Sequence, residues 1–223
     1  TPWVYMLARS LAAHGEVTVV RFYDWLNYRR IKPEWPDADS RVRRVTWTLP
    51  PGYAGRIEPF FRPFIQLFIA RESARLRRST GTTPIVVAPY PYLAPWVRRV
   101  PGERLVYYNL DEYPLYNPSR TEHILKLERE LLNRAGLTVC LSIHQTRTLK
   151  ERAPAAAHRV EHFPLGVADT FLNPAPGEHP DSRTVGYIGN LSNRVDWAFV
   201  NEVARAMPDV DFEFIGSMEK LET

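Results

Sequence analysis

The chain has 223 residues, 44% of them hydrophobic and 24% charged, with a formal net charge of +4. These proportions are ordinary for a folded globular chain, and the length admits one large domain or two small ones. No apolar run reaches the ~18–20 residues of a membrane span, and the weak, scattered positive charge comes without any nucleic-acid-binding signature, which argues against DNA or RNA as a partner. Arginine supplies nearly all the excess charge. That suits an anionic ligand or an anionic membrane surface, although the base composition of a gene produces the same bias. The single cysteine, Cys140, lies in the apolar run Leu137–Leu141. No basic neighbour is there to lower its pKa, so it reads as a small buried hydrophobe in a reducing compartment.

Along the chain, hydrophobic periodicity switches between the helical and strand repeats. Trp3, Val4, Leu7, Ala8 and Leu11 recur at helical spacing, with Gly15 following as a C-cap. Val17–Val20 reads as a buried strand. A Pro-rich loop covers Lys32 to Ser40. Within it Asp37-Ala38-Asp39 has the spacing of a chelating carboxylate pair, but no strand delivers it, so it reads as solvated loop. Val42 to Leu49 alternates as a second strand.

Ile57, Phe60, Phe61, Phe64, Ile65 and Phe68 then fall on one face of a long helix ending near Ser79. Arg62, Arg71, Arg75, Arg77 and Arg78 decorate its remainder. The stretch Ile57–Arg78 fits an interfacial membrane helix that seeks acidic lipids, or equally a core helix with its arginines in water.

Further strands are expected at Pro84–Ala88, Leu105–Tyr108, Leu137–Leu141 and Arg159–Phe163, with helices at Thr121–Ala135 and Ile143–Arg152. Strands alternating with helices over this length predict an α/β fold, a parallel sheet covered on both faces. The chain opens on a helix that feeds a strand, so a first strand is expected upstream of Thr1. Asn173–Ser182, with Pro174, Pro176, Gly177 and Pro180, has the composition of an interdomain linker. The expected division is therefore a Rossmann-like domain over 1–172, a linker over 173–182, and the incomplete beginning of a second Rossmann-like domain over 183–223.

Two places carry candidate chemistry. After the linker, Thr184–Ile188 runs as a strand into a turn at Gly189, and a helix is expected from near Arg194. Gly189 lets a backbone approach a phosphate closely. A helix N-terminus and Arg194 add a dipole and a charge-assisted contact, and Asn190 completes the candidate phosphate seat. In the earlier domain, the strand Leu105–Tyr108 delivers Asp111 and Glu112 to its C-terminal end, where ligands of open α/β sheets bind. Asp111 suits orienting a hydroxyl or accepting its proton, with Glu112 in reserve; Asp111 equally suits capping a turn. His144 and His162 lie near strand ends as weaker candidates. The six histidines show no metal-ligand spacing, so no metal site is expected.

The order of these pieces resembles the GT-B-type glycosyltransferases. The matching passages are the opening Leu7-Ala8-Arg9-Ser10-Leu11-Ala12, the helix-strand pair Glu128–Ser142, the passage His162–Asp169 with Pro164, Gly166 and Val167, and the stretch around Gly189. The resemblance departs where Leu165 stands for the usual Asn and where the Asp after the valine is displaced to Asp169. It implies an acceptor-side domain plus the opening of a donor-side domain. It further implies transfer of a sugar from a nucleotide-diphosphate sugar to a glycan or lipid-linked acceptor of a bacterial surface polysaccharide or glycolipid. Retention of configuration, no cofactor, no metal, and a cytoplasmic setting at or near the inner face of the plasma membrane come with it. The same resemblance places the donor-binding carboxylates beyond Thr223 and leaves this chain alone inactive. A nucleotide-sugar epimerase of the same architecture, and a non-catalytic ligand-binding α/β domain, remain alternatives.

Overall fold

The computed structural model describes residues 2–31, 40–116, 118–166, 172, 183–192 and 195–218. Asp37, Asp39, the segment Asn173–Ser182 and Arg194 lie outside the described residues. The chain divides into two units, Thr1–Gly166 and Val167–Thr223.

The first unit opens with α1 (Pro2–Leu11), β1 (Val17–Asp24), α2 (Trp25–Ile31) and β2 (Val42–Leu49). Tyr5, Ala8 and Ala12 recur at helical spacing and pack on Val42, Val17 and Val19. That burial, rather than propensity, holds α1 in place. β1 continues past Val20 because Phe22 and Tyr23 extend its pairing with β2, in register to Asp24 opposite Leu49. α2 has no counterpart in the sequence reading. It is a short helix whose entry is tied by the Asp24 carboxylate, which accepts the Asn27 backbone N–H at 2.8 Å.

Then come α3 (Glu58–Thr80), β3 (Val86–Ala88), β4 (Leu105–Asn109), α4 (Thr121–Arg134), β5 (Leu137–Cys140), α5 (Ile143–Arg152) and β6 (Val160–His162). α3 ends where Gly81 turns left-handed at φ 72° and closes on the Arg77 carbonyl, a termination that favours glycine. Ile65 of α3 is fully buried with Leu49 and Trp96, and Phe22, Phe61 and Ile69 pack around them. The Phe22 ring meets those of Trp47, Phe68 and Trp96 edge-on, the last at 5.1 Å between centroids.

Every described strand pair is parallel, and the strands form three ladders: β1-β2, β3-β4-β5-β6, and, in the second unit, β7 (Thr184–Ile188) with β8 (Asp211–Ile215). Parallel neighbours need crossover connections, which the intervening helices and loops supply. The architecture is α/β with parallel sheets, as the alternating pattern predicts. The first unit differs from one continuous sheet in that β1 and β3 do not pair. All eight residues of β1 remain half-buried.

The main core lies on the four-stranded sheet. Leu127, Leu131 and Leu132 of α4 and Leu149 of α5 cover Leu105, Tyr107, Cys140 and Val160. Cys140 is buried as expected, and burial pushes its thiol up to about 11.

The second unit runs β7 (Thr184–Ile188), α6 (Trp197–Ala206) and β8 (Asp211–Ile215). Tyr187 and Ile188 therefore found a separate ladder with Phe214 and Ile215 and add no strand to the earlier sheets.

One backbone contact fixes how β4 and β5 are entered. The Gly136 N–H donates to the Gly102 and Leu105 carbonyls at 2.7 and 3.0 Å, and a methyl group on Gly102 would lie 2.5 Å from the Arg134 carbonyl oxygen. Backbone cannot yield as a side chain does. Gly102→Ala is therefore expected to cost about 1–3 kcal/mol in thermal or urea denaturation. Gly15→Ala, whose methyl group meets nothing within 4 Å, is the control and leaves stability equal or slightly raised.

Candidate functional site

The register of the four-stranded sheet brings Asn109, Cys140 and His162 into one row at the carboxyl ends of β4, β5 and β6. Just beyond it lie Asp111 and Glu112 after β4, and Ser142 after β5. Ser142 caps α5, its Oγ accepting the Gln145 N–H at 3.1 Å.

Asp111 is half-buried. Its Oδ1 accepts the Glu112 backbone N–H at 2.9 Å, and its Oδ2 accepts the Tyr116 hydroxyl. The turn-capping role is thus present in the structure. Two hydrogen bonds still leave acceptor capacity on both oxygens of a carboxylate. Glu112 points elsewhere: its Oε1 takes Arg152 Nη2–H at 2.5 Å, with the two side chains about equally shielded, at 21% and 19% exposure. The two carboxylates that sequence reading grouped together therefore have different partners.

Arg152 also donates from Nη1 to Glu128 Oε2 at 2.7 Å. Glu128 is fully buried, at 0% exposure, on the inner face of α4. Its Oε1 accepts the Tyr107 hydroxyl at 2.9 Å, and Asn109 Nδ2 donates to that hydroxyl at 2.9 Å and to the Asp111 carbonyl at 3.1 Å. A chain of polar contacts thus runs from α5 through α4 into β4 and ends on the backbone of the Asp111 turn. Asn109 Oδ1 is buried with no hydrogen-bond partner among the described residues.

Burial raises Glu128 above the ordinary carboxylate range, and Arg152 offsets this only in part. Burial works against the Arg152 cation too, but its hydrogen bond to Glu112 and the charge of Glu128 outweigh it and hold the guanidinium above its usual value. Burial likewise lifts the Tyr107 phenol well above 10, so Tyr107 stays a donor.

Sequence reading missed this network. A signal was present: Ile124, Leu127, Glu128 and Leu131 share one helical stripe, and Glu128 is the only charge on it. What the pattern does not carry is the partner, because Arg152 comes from a different helix.

His144 and His162, the weaker candidates, are both exposed. Among the described residues, no group of three or more His, Cys, Asp or Glu is placed to hold a metal ion.

In the second unit, β7 and β8 end on a close backbone approach. A methyl group on Gly216 would lie 1.7 Å from the Gly189 carbonyl oxygen. The Gly189 N–H donates to the Ile215 carbonyl at 2.9 Å, and the Leu191 N–H to that of Ser217 at 2.9 Å. Gly189 thus brings backbone against backbone, and its amide is engaged in the ladder. Asn190 Oδ1 accepts the Ser217 hydroxyl at 3.2 Å. α6 begins at Trp197, later than the start near Arg194 that the sequence suggests. Its cap is Asp196, whose carboxylate accepts the Phe199 N–H at 3.0 Å. A negative charge already sits on the N-terminal amides that sequence reading assigned to a phosphate.

A scan against protein-family profiles gives no match, and a search of curated proteins gives none either. Fold and site together define the class of an α/β chain with parallel sheets and a carboxylate turn at one carboxyl edge.

Glu128 generates a stability prediction with a definite sign. Glu128→Ala leaves Tyr107 and Asn109 short of an acceptor and Arg152 half-paired, and is expected to cost about 3–5 kcal/mol by urea denaturation. Glu112→Ala, at the solvent boundary, costs markedly less. Because the folded-state pKa of Glu128 is raised, the folded protein holds this proton more tightly than the unfolded chain. The group's contribution is complete below its ordinary value of 4.5 and is lost as pH rises through the raised value. In Glu128→Gln that loss disappears. The stability of wild type relative to Glu128→Gln therefore falls on going upward from pH 4.5; a difference that rises instead contradicts the assignment.

Proposed function

We propose that the chain is part of a glycosyltransferase that moves a sugar from a nucleotide-diphosphate sugar to a glycan or lipid-linked acceptor, with Asp111 at the acceptor hydroxyl. One observation carries this reading: β4 delivers a half-buried carboxylate with spare acceptor capacity to the carboxyl edge of a parallel sheet, in a chain that opens a second, separate parallel β-α-β unit. Two α/β units are what the resemblance to GT-B-type enzymes implies, and the carboxyl edge of such sheets is where ligands bind.

In this reading Asp111 orients the acceptor hydroxyl and takes its proton as the new glycosidic bond forms. Glu112 has no part in that step, because it is committed to Arg152; its work is to hold the turn. On the donor side, Gly189 and Gly216 supply close-packed backbone, and Asn190 supplies a side-chain amide beside it. The Asp196 cap repels a diphosphate. The neutralising charge therefore falls to arginine, and Arg194 is the candidate for it.

The test is turnover by the protein expressed from its whole reading frame, supplied with nucleotide-diphosphate sugars and with glycan or lipid-linked acceptors. Release of nucleoside diphosphate coupled to acceptor glycosylation is the expected result. Asp111→Asn should lower kcat by about 10²–10⁴-fold and leave the donor KM and the folding transition nearly intact. Donor isomerised without acceptor would identify an epimerase instead. Nucleotide binding with neither reaction would leave a ligand-binding domain.

A further inference from the structure

α3 does not resolve into the core helix or the interfacial helix that its sequence admits; it has features of both, on different faces. Ile65 faces inward with Phe61 and Ile69. Phe60, Phe64 and Leu67 face outward, at 76%, 61% and 62% exposure. These three positions are four and three residues apart, so they stack on one side of the helix over two turns. The same side continues toward the C-terminus with Arg71 and Arg78, both exposed. An apolar half and a cationic half thus share one solvent-facing stripe.

The arginines on that stripe have no ion-pair partner among the described residues. The two acidic residues of α3 are already taken. Glu58 holds Arg62 at 2.6 Å, and Glu72 lies 3.3 Å from Arg75 and 3.5 Å from Arg43. Arg71, Arg77 and Arg78 form no ion pair among the described residues. About a third of a turn round the helix from the stripe, another flank of α3 borders an open cavity of about 230 Å³, lined by Arg77, Arg99 and Arg104 and by apolar groups such as Ile69, Val86 and Trp96. Arg99 and Arg104 likewise form no ion pair among the described residues; the nearest acidic residue along the chain is Glu103. Apolar side chains and unneutralised arginines lie side by side, and no acidic group of α3 is left to oppose an anion.

We propose that this face of α3 docks on an acidic lipid surface. Phe60, Phe64 and Leu67 enter the boundary between headgroups and acyl chains. Arg71 and Arg78 lie against the headgroups, their aliphatic stems along the apolar layer. Arg77, Arg99 and Arg104, which line the neighbouring cavity, add to the positive field that draws the anionic surface. Among the described residues no helix is long and apolar enough to cross a membrane, so the contact is peripheral. This assignment is independent of the catalytic reading.

Cosedimentation of the 223-residue chain with vesicles tests it. One set is phosphatidylcholine alone; the other contains phosphatidylglycerol as well. The chain should pellet with the anionic vesicles at low salt, less so as salt rises, and weakly with phosphatidylcholine. Phe64→Ser should lower the partition coefficient about tenfold. Arg71→Gln and Arg78→Gln should each lower it about fivefold. All three side chains are exposed, so far-ultraviolet circular dichroism and thermal midpoint should not move. Absence of binding to anionic vesicles at low salt overturns the proposal. So does binding indifferent to Phe64→Ser, and so does a Phe64-dependent dimer in sedimentation equilibrium, which would make a second copy the occupant.

Discussion

A carboxylate sealed from water cannot stay charged alone, and Glu128 is sealed by α4, β4 and α5. The desolvation of an ion costs several kcal/mol even after relaxation. Arg152 answers part of that cost, the Tyr107 hydroxyl answers part, and the remainder shows as a raised proton affinity. Because Glu128 and these partners come from three elements, satisfying Glu128 fixes their relative positions. The same contacts extend through Asn109 Nδ2 to the Asp111 carbonyl, so the candidate turn is held from beneath by a group that never reaches solvent.

The parallel ladders impose a second constraint. Parallel strands pair only through crossovers, so each pair commits the chain to a helix or loop on a sheet face. At two places backbone also approaches backbone closely. That happens at Gly102 and Gly136, which gate the entries to β4 and β5, and at Gly189 and Gly216, where β7 and β8 end. These glycines are positional requirements of the sheets. At Gly189 this has a chemical consequence: the amide proton that a phosphate would use is spent on the Ile215 carbonyl.

The two kinds of charged residue behave differently for the same physical reason. Arg152 and Glu128 are shielded, so their pairing is costly to break. The arginines along the outer side of α3 are in water, where isolated pairs contribute little. There they matter through the field they present, next to three large apolar side chains that the fold leaves uncovered.

Local pattern alone was enough for the order of the elements apart from α2. The helical period of α1, the apolar strands around Val86, Val106 and Val139, and the burial of Cys140 follow from spacing and residue type, because burial on one face imposes a period that a single sequence displays; which face of α1 is covered did not, since Tyr5, Ala8 and Ala12 are buried while Leu11 of the expected stripe is exposed. The arrival of Asp111 and Glu112 at a strand end was legible for the same reason. What each of those carboxylates touches was not: Glu112 meets Arg152 from forty residues away, and Asp111 meets Tyr116 across a turn. The short helix α2, the unpaired edges of β1 and β3, and the division of α3 into a buried face and an exposed one were likewise settled only in three dimensions. Periodicity states that a residue is apolar at a given angle; whether a neighbour covers that angle depends on chain segments distant in sequence, and only packing brings those together.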